Sequence, residues 1–337
     1  MLAPRYLSLQ LTPTSQNPMA GFQAIREQIA EDPNFTGIYI RVEKGASIQF
    51  WQVLKQELHE LNNLVKIQHF ALGLALDSAP QDFSVLMDLP FWPTLGALTI
   101  DGPMSVVCQE QLVNQLATQA QLTILSITTA MFNSAMATKL VRNLPQGVEN
   151  VDLSWNHIKV DQENAFAAFC QAVSESRLVK LGLDFKGTAE CSAMGAMLAI
   201  LQRKFMLTVQ AAPSMSSADL EYFVKAMAAN PYLTVDFQDC LSFINDQQKV
   251  AALVKLTNQN KTPSLLNLAL LRLGELLNEQ GIESDEVAAF VPDECISRLT
   301  ITDALKRDLH QRRQKIYEPL AQAPNAPITD AVEKLTF

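Results

Sequence analysis

One apolar frame recurs along this chain, and a frame repeated at this length restricts the fold more than any other feature of the sequence. The segments Tyr6-x-x-Leu9-x-Leu11, Phe35-x-x-Ile38-x-Ile40, Leu95-x-x-Leu98-x-Ile100, Leu122-x-x-Leu125-x-Ile127, Val148-x-x-Val151-x-Leu153 and Leu178-x-x-Leu181-x-Leu183 share it. Weaker copies are Leu64-x-x-Ile67-x-His69, Met206-x-x-Val209-x-Ala211 and Tyr232-x-x-Val235-x-Phe237. Their middle positions lie 26 to 31 residues apart. Apolar residues that alternate at the end of each frame predict a strand with one buried face. Between strands, apolar residues three or four apart predict helices that bury one stripe, for example Phe22, Ile25 and Ile29, or Ile48, Trp51, Leu54, Leu58 and Leu61. Asn133, Asp161 and Ser216 or Ser217 stand where N-caps are expected. A strand-turn-helix unit of this size cannot bury its apolar face alone. Neighbours must stack, with the strands in one parallel sheet and the helices outside it. Because helices are wider than strands, the sheet lines the concave side.

The frame resembles that of the leucine-rich-repeat family, L-x-x-L-x-L-x-x-N, at the repeat length of its ribonuclease-inhibitor-like class. The stretch Val148-Glu149-Asn150-Val151-Asp152-Leu153-Ser154-Trp155-Asn156 matches almost fully, whereas Pro103, Ala130 and Lys186 take the Asn position in other copies. The resemblance covers roughly residues 6 to 262 and implies an α/β leucine-rich-repeat solenoid, a horseshoe with a parallel concave β-sheet and outer helices. Residues 1–262 are expected to form about nine repeats, 263–320 a helical C-terminal cap and 321–337 a flexible tail. Within the cap, Leu266, Leu270, Leu273 and Leu277 share a helical face, although Leu265-x-x-Leu268-x-Leu270 also reads as a tenth strand. The pattern from Glu294 to Tyr317 carries Arg298, Lys306, Arg307, Arg312, Arg313 and Lys315, and reads as a solvated capping helix or as a surface for lipid or an acidic partner.

Charge and cysteine usage narrow the classes of partner. A formal charge of −9 over 337 residues disfavours nucleic acid and points to a protein partner. Cys108, Cys170, Cys191, Cys240 and Cys295 are scattered and odd in number, as expected of reduced thiols. No apolar run reaches the ~18 residues of a membrane span. The N-terminal MLAPRYLSLQL has neither the apolar segment nor the cleavage site of a secretory signal. A cytoplasmic protein is expected, or one delivered into a host cell without a cleaved signal peptide. The second address follows from a likeness to bacterial leucine-rich-repeat effectors, which share degenerate repeats, an acidic body and a short polar tail.

Three constellations raise the question of catalysis. Asp152, Ser154 and His157 are the residue types of a hydrolase triad, yet nothing nearby supplies an oxyanion hole. His59-Glu60-Leu61-Asn62-Asn63 begins like a zinc-protease helix and lacks its second His. Cys240 and Cys295 invite comparison with leucine-rich-repeat ubiquitin ligases, whose Cys-x-Asp motif neither matches. The arginine of a GTPase-activating relative is not identifiable by motif either. No catalytic residue, metal or cofactor is expected, and an enzyme or enzyme-recruiting adaptor is the alternative.

Residues that alternate with the apolar frame should line the concave face. Early repeats then contribute Tyr39, Arg41, Lys66 and Phe70, and later ones Asp101, Asp152, Ser154, Asp184 and Asp236, broken by Lys180, with Trp155 at the edge of the following turn. Tyr39, Arg41, Asp101, Asp152, Ser154, Trp155, Asp184 and Asp236 are the expected partner-binding residues. The acidic half suits a partner with a basic segment.

Overall fold

The computed structural model describes residues 5–160, 164–185, 187–201, 203–210, 216–237, 251, 306–308 and 311. Nine strands form one sheet: Tyr6–Leu11 (β1), Gly37–Val42 (β2), His69–Leu74 (β3), Ala97–Asp101 (β4), Ile124–Thr128 (β5), Asn150–Asp152 (β6), Lys180–Asp184 (β7), Phe205–Gln210 (β8) and Leu233–Asp236 (β9). All neighbours are parallel and follow chain order. Among the described residues, seven α-helices alternate with them: Gly21–Glu31 (α1), Ile48–Leu64 (α2), Val106–Leu116 (α3), Ser134–Arg142 (α4), Ala165–Glu175 (α5), Thr188–Ile200 (α6) and Ser217–Ala229 (α7). The fold is a leucine-rich-repeat solenoid, an α/β stack in which each repeat pairs with its two neighbours.

The chain divides into two compact units, residues 1–261 and 262–337. In the second, Lys306, Arg307, Asp308 and Gln311 are helical. The expected cap stripe from Leu266 to Leu277, the alternative tenth strand, the tail 321–337, the N-cap Asp161 and the cysteines Cys240 and Cys295 lie outside the described residues.

Strand register follows the burial of alternating apolar side chains, three of them in each of the first three strands. Leu7, Leu9 and Leu11 are buried and pair in register with Ile38, Ile40 and Val42. In β3 the inward residues are Phe70, Leu72 and Leu74, three positions beyond the frame expected around Ile67. This corrects the assignment of Phe70 and Lys66 to the open face: Phe70 is 3% exposed against Phe91, and Lys66 precedes the strand. The shift has a simple cause. The observed register buries Phe, Leu and Leu, whereas the expected one would have buried His69 at its third position. In β1 and β8 the anchor is Leu7 rather than Leu9 and Leu207 rather than Val209, a slip of two that leaves the same residues on each face.

The helices close the other side of the core. Four of their starts are fixed by side-chain caps: Ser47 accepts from the Phe50 amide, Ser105 from Cys108 and Asn133 from Met136, while Ser216 and Asp219 form a reciprocal capping box. Ile48, expected in the buried stripe of α2, is the first residue after the Ser47 cap and is exposed. Between β3 and β4 two short 3₁₀ turns, Ser84–Asp88 and Trp92–Thr94, take the place of an α-helix. There Phe83 packs on Trp51, and Trp92 donates its indole N–H to the Leu86 carbonyl at 2.5 Å.

Leu181 is fully buried between Val151 and Leu207 of the adjacent strands. Leu181→Ala is expected to cost about 2–5 kcal/mol in chemical denaturation, whereas Ile200→Ala, at a residue 76% exposed, should change stability by less than about 0.5 kcal/mol. A loss below about 1 kcal/mol at Leu181 would place that side chain outside the core.

Candidate functional site

The face of the sheet away from the helices carries three ladders of outward residues. One runs Tyr6, Gly37, His69, Ala97, Ile124, Asn150, Lys180 and Met206 from β1 to β8. A second runs Ser8, Tyr39, Ala71, Thr99, Ser126, Asp152, Gly182, Thr208 and Asp236. A third begins Gln10, Arg41, Gly73, Asp101 and Thr128 and resumes with Asp184 and Gln210.

Glycines on this face make room for large neighbours. The Tyr6 ring lies over Gly37 and meets the His69 ring edge-on at 5.8 Å, with its hydroxyl 3.3 Å from His69 Nδ1. The Tyr39 hydroxyl lies where a Cβ on Gly73 would crowd it at 2.9 Å. Both tyrosines remain exposed, as do Arg41, Ile124 and Lys180. Partial burial holds the His69 pKa below its ordinary value, which favours the neutral ring.

At the end of the sheet where the strands finish, three equivalent turn positions share one geometry. Gly102, Thr129 and Trp155 have φ of 127°, 53° and 62°, and each donates its backbone N–H to the next repeat. The acceptors are the Thr128 carbonyl at 3.0 Å, the Ser154 carbonyl at 3.3 Å and the Asp184 carboxylate at 2.7 Å. Left-handed backbone is natural for Gly and disfavoured for a bulky Trp. Asn156 holds the last of these turns in place. Its side-chain amide donates to the Ile127 and Leu153 carbonyls at 2.7 and 2.9 Å, and its oxygen accepts the Phe132 amide at 3.0 Å.

The indole of Trp155 is 48% exposed and donates through Nε1 to Gln210 at 3.2 Å. Gln210 stands two strands beyond β6, so the ring crosses the Asp184 position of β7. Asp184 is only 5% exposed. Beside it, Gly182 leaves room for the Asp152 carboxylate, into which any Cβ would run.

These contacts correct part of the expected partner-facing set. Ser154 is fully buried and donates its hydroxyl to Asp152 at 2.6 Å, and Asp184 is buried as the acceptor for Trp155. Neither side chain is presented to solvent, because each satisfies a polar group inside a turn. Asp101 is half-buried and accepts the Thr128 and Thr129 hydroxyls at 2.8 and 2.7 Å. Asp152 and Asp236 are also half-buried, while Tyr39, Arg41 and Trp155 are exposed. Sequence reasoning missed Tyr6 and His69 as face residues. The Gly37 and Gly73 positions, small where the ladder neighbours are large, were the available signal.

Those of the described residues that raised the question of catalysis are separated or committed elsewhere. The Ser154 hydroxyl points at Asp152, and His157 is an exposed turn residue whose backbone donates to Phe132. His59 and Glu60 are exposed on α2, with Glu60 accepting from Arg26 at 2.8 Å. Among the described residues no group of three His, Cys, Asp or Glu side chains is arranged to hold a metal ion. Burial pushes the thiols of Cys108, Cys170 and Cys191 up to about 12. No helix among the described residues is long and apolar enough to cross a membrane.

Comparison of the sequence with family models and with curated proteins finds no match. Among solved structures, the chain is similar to the leucine-rich-repeat-containing protein LegL7 from Legionella pneumophila, at 14% identity and a TM-score of 0.41, over 92% of this chain and 98% of that one. The assignment to the leucine-rich-repeat class rests on the nine-stranded parallel sheet and its repeated frame.

Asn156→Ala is expected to destabilise the protein by about 1–3 kcal/mol, since it strands buried backbone groups of three segments. Chemical denaturation measures this, and an unchanged midpoint would mean the turn is held otherwise. In the folded protein, iodoacetamide at about pH 8 should leave Cys108, Cys170 and Cys191 unmodified, as read by peptide mass spectrometry. Rapid alkylation of all three without unfolding would contradict their burial.

Proposed function

We propose that this protein is a binding module that engages a protein partner through the open face of its sheet, with Trp155 as the anchor. The observation that carries this reading is the state of Trp155. A large aromatic residue is held in left-handed backbone by Asp184 and Asn156 and still leaves about half of its surface to solvent. Strained backbone that neighbours over-determine is commonly found where function requires it, and aromatic anchors dominate binding energy at protein interfaces. Tyr39 and Arg41 extend the surface toward the first repeats.

The partner carries a basic segment that crosses the later repeats. Asp101, Asp152 and Asp236 retain partial exposure there. Their hydrogen bonds from Thr128, Thr129 and Ser154 fix the first two carboxylates in place. Among the described residues of β4 to β9 on these ladders, Lys180 is the cation that opposes them, while Arg41 stands on β2. Rigid charges of one sign steer and orient an oppositely charged partner. The degenerate repeats and acidic body support placement among bacterial effectors delivered into host cells, with a host protein as the partner.

The test is retention of a partner from host-cell lysate by three purified variants of equal thermal stability. Trp155→Ala should reduce retention about tenfold or more. Asp101→Asn with Asp152→Asn should weaken it and flatten its salt dependence. Glu27→Lys, on the outer surface of α1, should retain the partner fully. Equal retention by all three would remove the open face from consideration.

A further inference from the structure

We propose a second site, independent of the sheet face: the cleft between the closing ends of α4 and α5 binds a small organic carboxylate with an apolar body. The cleft encloses about 310 Å³. It exists because the connections on its two sides differ in length. The chain takes residues 143–149 to pass from α4 to β6 and only 176–179 to pass from α5 to β7, so the two repeats cannot close on each other there.

Two arginines line this cleft, Arg142 from the last turn of α4 and Arg177 from the loop after α5. Both are exposed, and neither has a hydrogen-bond or ion-pair partner among the described residues. The ordinary reason for arginine at a helix end is to serve the terminal carbonyls. Here other groups do that. Arg203 donates to the Val173 and Leu178 carbonyls at 2.9 and 2.6 Å, at the end of α5 and in the loop beyond it. Asn143 caps α4 with its backbone N–H and with its side-chain amide, which meets the Lys139 carbonyl at 2.8 Å. Arg142 and Arg177 therefore keep fork-shaped donor sets that bond to neither helix among the described residues.

Glu175 is the one carboxylate lining the cleft, and its Oε1 accepts from Gln171 at 2.7 Å. Two arginines against one glutamate leave a single positive charge, which matches a monoanion. Guanidinium recognises a carboxylate through paired N–H donors. Leu144 and Pro145, both half-buried, give the cleft its apolar surface above the buried Val141, Ala172 and Leu178, and an apolar body would rest there next to the charged head.

The test uses benzoate as the probe, with acetate, benzyl alcohol and phenyl phosphate beside it, read by amide chemical shifts of the full chain. Benzoate should shift residues 141–148 and 172–178 saturably, acetate should bind more weakly, and benzyl alcohol should not bind. Arg142→Gln with Arg177→Gln should weaken benzoate about tenfold or more, while Lys139→Gln, on the same helix and outside the cleft, should change it less than about twofold. Thermal melts check that each variant is folded. The proposal is overturned by no saturable shift at millimolar benzoate, by equal affinity of the double variant, by acetate matching benzoate, or by phenyl phosphate binding more tightly than benzoate. None of these outcomes depends on the partner bound at the sheet face.

Discussion

Every feature of the molecule depends on the hydrogen-bonded register of its parallel strands. A single repeat has one strand and at most one helix, so its backbone polar groups and its apolar stripe both find partners only in the next repeat. Pairing strands about 4.8 Å apart aligns equivalent residues into ladders, and whatever one repeat places on the open face stands beside its counterpart in the neighbour. That alignment tolerates unequal repeats. Where a helix is missing between β3 and β4, Phe83, Phe91 and Trp92 supply the missing bulk, with tilted ring contacts from Trp51 to Phe83 and from Phe70 to Phe91.

The turns that follow the strands show how degenerate repeats remain stable. Among the described turns a family-type Asn serves the one after β6, and in others the same task falls to residues of other chemistry: Asp101 accepts two threonine hydroxyls, and Glu43 accepts from Gln10 and Thr12 at 2.6 and 2.8 Å. Those two bonds hold the Glu43 carboxyl below its ordinary range, so it stays charged while fastening two repeats together. Several acidic residues of the open face thus have a structural duty as well as a charge. Such carboxylates are pre-organised, and a partner that binds them need not order them first.

Charge is also sorted between the two ends of the strands. At the finishing end of the later repeats Asp101, Asp152, Asp184, Glu190 and Asp219 outnumber Lys159, while at the starting end Arg142, Arg177, Lys180, Arg203 and Lys204 outnumber Glu149 and Glu175. A net charge of −9 conceals this division. The two proposed sites fall on opposite sides of it, the sheet face near the acidic edge and the carboxylate cleft in the basic one.

The sequence by itself determined the architecture. Three apolar residues at fixed spacing, repeated at nearly constant intervals, have few ways to be buried together other than as stacked parallel strands. It also determined which residues alternate outward wherever the frame was read within a slip of two, as at Leu9 and Val209, because a strand repeats its facing every second residue. It misplaced β3 by an odd number of positions, since the Ile67 frame and the Phe70 frame are both apolar and only the full set of neighbours distinguishes them. Tertiary structure alone decided which outward residues are available. Asp184 and Ser154 occupy outward or turn positions by pattern, yet one is covered beneath Trp155 and the other is turned into Asp152. Those outcomes depend on a glycine at 182, a glutamine at 210 and a left-handed turn at 155, which lie far apart in the chain and meet only when three repeats are stacked. Local pattern encodes the face on which a side chain stands, whereas its exposure is a sum over neighbours that the chain assembles only on folding.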